Sequence, residues 1–259
     1  MSTLRLTYVL AIVACLLTAL PPEDAYAQQS MFDDANEYFQ EGDVTEALKL
    51  YQRIESQGQI SGALYLNMGI SYMQIDSLGK SKYYLMKARN FPETRSRAVA
   101  GLDYVEEQFS RQSAVMPKLP WQRALDWMNR MWGAPTVSGI GIVLLNMGVG
   151  LFISLWFVSW GRPWIRKTSI AFAVSGVFFI LISFYLQYLD NRYSEAVMVN
   201  DQTTVMETPN SQSETVLRAY EGYALTVDHR ESEGNPGWMY VRMSNGQYGW
   251  IPKKDILIL

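Results

Sequence analysis

The sequence predicts a multidomain membrane protein built from α-helical hairpins, a two-helix transmembrane hairpin and a small all-β barrel, in that order. Three observations predict it. Residues Thr136–Trp160 and Ser169–Leu189 carry no charged side chain over 25 and 21 residues. Before them, apolar residues recur at helical spacing with a period of 34 residues. After them, the spacing changes to period two, with turns rich in Gly, Asn and Pro between short runs.

Residues 1–27 read as a secretory signal. Arg5 supplies the charged start and Leu6–Leu20 the apolar run; Pro21-Pro22 break it, and Ala25-Tyr26-Ala27 offers a cleavage site. Cys15 leaves a rival open, because Ile12-Val13-Ala14-Cys15 is similar to a lipidation box, and an uncut anchor is the third outcome. All three place the following segment outside the cytoplasm.

Residues 28–112 are helical in period. A shift of 34 aligns Ala35 with Gly69, Tyr38 with Tyr72, Ala47 with Ser81 and Tyr51 with Leu85. That is the tetratricopeptide pattern, in which small residues let antiparallel helices approach and aromatic residues fill the space between turns. The usual tryptophan is replaced by Met31 and Tyr65. The stretch that follows the two units, TRSRAVAGLDYVEEQF, with Val99, Leu102, Val105 and Phe109 on one side, is expected to cap the stack. The first helices of the two units present Phe32, Asn36, Phe39, Leu66, Ile70 and Met73. These either line a groove for a partner peptide or helix, or pack against the neighbouring unit.

Residues 113–135 contain an amphipathic helix. Trp121, Leu125, Met128 and Trp132 fall within about a 60° arc at 100° per residue. Pro120 begins it, and Gly133 with Pro135 ends it. An apolar face with tryptophans suits the headgroup boundary of a bilayer; packing on the repeats is the alternative.

At 1.5 Å per residue, 136–160 and 169–189 are each long enough to cross about 30 Å of hydrocarbon. A buried pair in a large soluble core is disfavoured, since soluble helices of this length carry a charged stripe. Residues 161–168, with Arg162, Arg166 and Lys167, are expected to form the cytoplasmic turn. Gly150-x-x-x-Ser154 and Ala171-x-x-x-Ser175 are expected to bring the helices together. The amide of Asn146 is expected to find a partner across the pair, or on a different membrane protein.

Residues 193–259 hold seven short runs, EAVMV, TTVME, ETVLRA, ALTVD, WMYVRM, YGWIP and DILIL, with Asn245-Gly246 as a hairpin turn. Tyr220-Glu221-Gly222, Gly237-Trp238, Asn245-Gly246 and Gly249-Trp250-Ile251-Pro252 resemble a bacterial SH3 domain. The resemblance implies a small SH3-like barrel, association with cell-wall peptides, and a face of Tyr220, Tyr223, Trp238, Tyr240, Tyr248 and Trp250. Core positions for Trp238 and Trp250 are the alternative. His229 is expected on a polar loop as a solvated side chain.

The order of signal, tetratricopeptide pair, two crossings and SH3 resembles the BatE-type proteins of the Bacteroides aerotolerance operon. The resemblance covers nearly the whole chain and rests on architecture more than on a unique motif. It implies partner membrane proteins with von Willebrand type A domains and a MoxR-type ATPase system, and it carries no catalytic residue.

The chain has one cysteine, Cys15, and one histidine, His229, too few for a Cys/His nucleophile pair, a Cys/His zinc cage or a haem attachment site. No catalytic, metal or cofactor site is expected. The net charge of −3 has no concentrated basic face, so no nucleic-acid partner is expected. A wall-acting enzyme using a carboxylate pair among Glu37, Asp43, Glu46 or Asp103 is a third alternative, disfavoured because helical acids ordinarily serve solvation. The expectation is a two-pass inner-membrane adaptor with both folded ends periplasmic; the alternative is a peptidoglycan-binding or sensing protein acting through the β domain.

Overall fold

The computed structural model describes residues 23–109, 116–117, 119–157 and 162–259. The cleavage and lipidation alternatives at Cys15 lie outside the described residues. The described chain forms eight helices and seven strands, in two compact units.

Five helices make the first unit: α1 (Glu23–Glu41), α2 (Val44–Ser56), α3 (Gly62–Gln74), α4 (Leu78–Ala88) and α5 (Arg95–Gln108). Asp43 caps α2 by accepting from the Glu46 amide at 3.2 Å, and Ser61 caps α3 by accepting from Leu64 at 3.1 Å. Tyr51, Leu64, Met68, Leu85 and Val105 are buried in the core. The repeated small positions sit at the closest approaches. Ala35, Ala47 and Ser81 are fully buried, and Ser81 Oγ donates to the Gly69 carbonyl at 2.7 Å. A Cβ on Gly69 would come within 2.7 Å of Leu85 Cγ. Two expected core positions are displaced. Tyr38 is 41% exposed, and on α5 the buried face runs through Ala98, Leu102 and Val105, leaving Val99 exposed.

A polar network joins α2, α3 and α4. Glu55 accepts from Tyr84 Oη at 2.9 Å and from Lys87 Nζ at 2.7 Å, while the same ammonium lies 3.9 Å from the centre of the Tyr65 ring. Burial, reinforced by the Glu55 charge, pushes the Tyr84 hydroxyl well above the ordinary phenol range. For Lys87, burial lowers the pKa, but the bonds to Glu55 and Tyr65 outweigh it and the net shift is upward.

In the second unit, α6 spans Pro120–Ser154 and α7 spans Arg162–Arg192. Both are long and apolar enough to cross a bilayer, and only 17% and 22% of their most apolar windows are buried, whereas a soluble core helix would be covered. Gly133 (φ 69°, ψ 160°) interrupts α6, so Pro120–Trp132 is a separate rod turning away from the apolar stretch. Glycine takes this left-handed φ without a Cβ clash.

The ends of the apolar pair differ from expectation. Helical backbone stops at Ser154, with a turn at Leu155–Phe157, and α7 begins at Arg162. The segment 162–168 is thus the first two turns of a helix rather than a loop; Pro163, near the N-terminus, needs no intrahelical amide bond. Residues 158–161 lie outside the described residues.

The seam between the two helices also uses other residues than expected. Ser169 Oγ donates to the Gly148 carbonyl at 2.9 Å, and Ser183 Oγ to the Ala134 carbonyl at 2.7 Å. Between them, a Cβ on Gly141 would lie 2.9 Å from the Gly176 carbonyl oxygen, and one on Gly176 would lie 2.6 Å from the Leu145 nitrogen. Ala134, Gly141 and Gly148 therefore face Ser183, Gly176 and Ser169, one antiparallel register with a heptad step on both helices. Asn146, Gly150, Ala171 and Ser175 are exposed and lie off this seam. Asn146 Nδ2 bonds the Ile142 carbonyl of its own helix at 2.8 Å, and Ser154 Oγ bonds its own Leu151 carbonyl at 2.7 Å. The physical reason is the repeat. An x-x-x step drifts around a helix relative to a straight partner, whereas a seven-residue step keeps returning to the same side.

The strands are β1 (Tyr193–Met198), β2 (Gln202–Met206), β3 (Thr215–Tyr220), β4 (Ala224–Asp228), β5 (Trp238–Met243), β6 (Tyr248–Pro252) and β7 (Ile256–Ile258), with the short helix α8 (His229–Ser232) after β4. They form one antiparallel sheet in the order β3-β2-β6-β5-β4-β1-β7. Val205, Val227, Val241 and Ile251 are fully buried on its inner side. β1 begins at the residue after α7 ends, so no linker separates helix from sheet.

Candidate functional site

The β5–β6 hairpin turns through Asn245-Gly246, with Gly246 at φ 86° and Asn245 Oδ1 accepting from the Gln247 amide at 3.0 Å. Register pairs Trp238 with Pro252, Tyr240 with Trp250 and Arg242 with Tyr248. Alternation sends Val241, Met243 and Ile251 into the core, so the paired set occupies the opposite face.

On that face the rings of Tyr240 and Trp250 are 5.3 Å apart, and Tyr240 stacks on Tyr248 at 6.1 Å and 16°. Tyr248 is 49% exposed. The Arg242 guanidinium lies 5.7 Å from the centre of the Tyr248 ring. Burial, with the nearby Glu231 charge, pushes the Tyr240 hydroxyl above the usual phenol range and keeps it protonated. Aromatic faces beside a cation can stack on planar or ring-bearing groups and accept hydrogen bonds from amides.

Tyr240, Tyr248 and Trp250 thus come together as one cluster, and Trp238 shares its face by register. Trp238 and Trp250 are both half-buried. Tyr220 and Tyr223 pair edge to face with each other at 5.8 Å, at the end of β3 and in the turn just before β4. Arg242 was not among the expected residues. Its signal is the same period-two alternation that picks out Tyr240, two positions earlier on β5.

The aromatic strand is tied to the end of α7. Tyr240 N donates to Ser232 Oγ at 2.9 Å, and Ser232 Oγ donates to the Asp228 carbonyl at 2.7 Å. Asp228 caps α8 through the amides of Arg230 and Glu231 at 3.1 and 3.2 Å, and takes Arg192 Nε and Nη2 at 3.0 and 2.8 Å. Burial raises the Asp228 carboxyl, but the Arg192 guanidinium and the two amides outweigh it and hold the group below the ordinary carboxylate range. Arg192 also packs over the Tyr193 ring at 5.2 Å. His229, expected to be solvated, is half-buried with Nε2 2.9 Å from Ser194 Oγ.

The six helical-unit residues expected to line a groove divide differently. Leu66 is 1% exposed and belongs to the core, so it is unavailable to a partner. Asn36 Oδ1 accepts from Tyr51 Oη at 2.7 Å and from Asn67 Nδ2 at 2.8 Å, an internal use of its carbonyl. Phe32, Phe39, Ile70 and Met73 remain partly buried against that core. On the rod before Gly133, Trp121 and Trp132 are exposed while Leu125 and Met128 are half-buried. Among the described residues, no group of three or more His, Cys, Asp or Glu is placed to hold a metal ion.

Set against known proteins, the chain matches no family model and no curated protein.

Proposed function

We propose that this chain is a non-enzymatic inner-membrane adaptor. It presents a tetratricopeptide-like module and an SH3-like module in the periplasm to assemble partner membrane proteins, as the resemblance to BatE-type proteins implies. The observation that carries the reading is the antiparallel register of α6 and α7, from Ala134 with Ser183 to Gly148 with Ser169. Two antiparallel crossings return the chain to the side it left, so an exported N-terminal unit comes with an exported sheet domain. The basic residues Arg162, Arg166 and Lys167 at the opposite end suit the cytoplasmic side, and the exposed Trp156 and Trp164 suit the interface beside them. The exposed tryptophans of the rod before Gly133 suit the outer headgroup layer.

Gentle detergent extraction of the full chain after crosslinking in intact cells tests the reading. Recovery of defined membrane partners, among them proteins with von Willebrand type A domains, is expected. A chain that runs alone at every step would contradict it. The aromatic face of β5–β6 favours a second reading, peptidoglycan binding. Retention of the full chain on purified wall material, lost on Trp250→Ala, would select that reading over the adaptor.

A further inference from the structure

The back of α6, the side turned from α7, carries a polar group in an otherwise apolar setting. Asn146 is exposed there, eight residues from Ser154 and so about 12 Å from the nearer helix end. One amide hydrogen bonds the Ile142 carbonyl of the same helix. An asparagine side chain has two donors and a two-lone-pair acceptor, so one bond leaves most of that capacity unmet in lipid, which offers none. The surroundings permit close approach. At 100° per residue, Gly139, Asn146 and Gly150 fall within about a 40° arc, and a Cβ on either glycine would meet nothing within 4 Å.

We propose that this face is a contact surface for a second copy of the chain, in which two Asn146 amides pair across a two-fold axis inside the bilayer. The occupant follows from the chemistry. An amide is self-complementary, donor to acceptor and acceptor to donor, so an identical residue brought up by two-fold symmetry satisfies both members at once. Gly139 and Gly150 flank the amide on the same arc and let the two backbones come near enough for that short side chain to reach. Nothing in α7 competes for it, since the seam is complete through Gly141, Gly148, Gly176 and the two serine bonds. The proposal rests on α6 and α7 lying in lipid and is independent of what the outer modules bind.

The test is association of the full chain in liposomes, read by energy transfer between donor- and acceptor-labelled copies as the protein-to-lipid ratio is varied. Wild type is expected to dimerise reversibly. Asn146→Leu is expected to weaken association at least tenfold, Asn146→Gln to retain most of it, and Gly150→Leu to weaken it while keeping the amide. Ala171→Leu, on the exposed side of α7, is expected to change nothing. Unchanged near-ultraviolet circular dichroism identifies variants that remain folded. A wild type that is monomeric at every ratio, an Asn146→Leu variant that associates as wild type does, or a stronger effect from Ala171→Leu than from Gly150→Leu would overturn the proposal. No ligand of the outer modules is in the assay, so failure of the adaptor reading leaves its outcome unchanged.

Discussion

Arg192, the last residue of α7, grips the Asp228 carboxylate through Nε at 3.0 Å and Nη2 at 2.8 Å, and so ties the end of an apolar helix to the β4–α8 corner of the sheet. The two side chains are only 20% and 11% exposed. Because β1 starts at the next residue, the junction is held twice, by covalent continuity and by a forked ion pair. The helix end cannot turn without breaking that fork.

Asp228→Asn is therefore expected to destabilise the sheet by about 1.5–3 kcal/mol, the range for hydrogen bonds to charged groups. Arg192→Lys should lose part of the same stabilisation, since an ammonium keeps the charge but cannot reproduce the two-nitrogen fork. Thermal unfolding followed by near-ultraviolet circular dichroism measures both.

The same pair sets an acid dependence. The Asp228 pKa is lower in the folded state than in the unfolded chain. Its stabilisation is fully present above the ordinary carboxylate value of about 3.9, and is lost as pH falls through the lower folded value. Wild type should lose stability over that acid window, and Asp228→Asn should lose less of it. Equal acid slopes in the two proteins would contradict the assignment.

In the helical unit, Glu55→Gln should cost about 1–3 kcal/mol, because it leaves the Lys87 ammonium in its tyrosine surroundings without the carboxylate. Paired substitution of Glu55 and Lys87 by apolar residues should cost less than the sum of the single changes. Denaturant unfolding of the four proteins closes that cycle.

Within the helix pair, Gly176→Leu is expected to separate α6 from α7, since its Cβ alone would fall 2.6 Å from a backbone nitrogen. Cysteines placed at Val137 and Ile180, each three residues along its helix from the Ala134–Ser183 contact, report the separation as lost disulfide formation. Gly150→Leu should leave that crosslink intact.

Much of the architecture could be read from residue spacing. All seven strands fall on the seven alternating runs, and the rod before Gly133 ends where Gly and Pro interrupt it. Spacing was less informative about partners. Gly150 and Ser154 have the right step for a tight helix contact, but Gly141 and Gly148 have the step that holds a straight antiparallel seam, and both steps coexist in one glycine-rich stretch. Leu66 lies on the expected inner arc, yet packing of neighbouring helices covers it, which no single-helix pattern records. The Arg192–Asp228 fork joins residues 36 positions apart, beyond the reach of any local signal. Of the aromatic residues singled out by alternation, Tyr240, Tyr248 and Trp250 cluster while Tyr220 and Tyr223 pair with each other, and Arg242 escapes the pattern because charged residues at alternate positions are ordinarily solvent-facing decoration.

The most direct measurement of the topology is labelling of single cysteines in intact cells with a membrane-impermeant reagent, one in the helical unit at Glu37, one in the first turns of α7 at Arg166, and one in the turn after β6 at Lys254. Labelling from outside the inner membrane at Glu37 and Lys254, with Arg166 reached only after lysis, is the expected result. Labelling of Arg166 from outside, or protection of either folded unit, would contradict a chain that enters and leaves the bilayer on the periplasmic side.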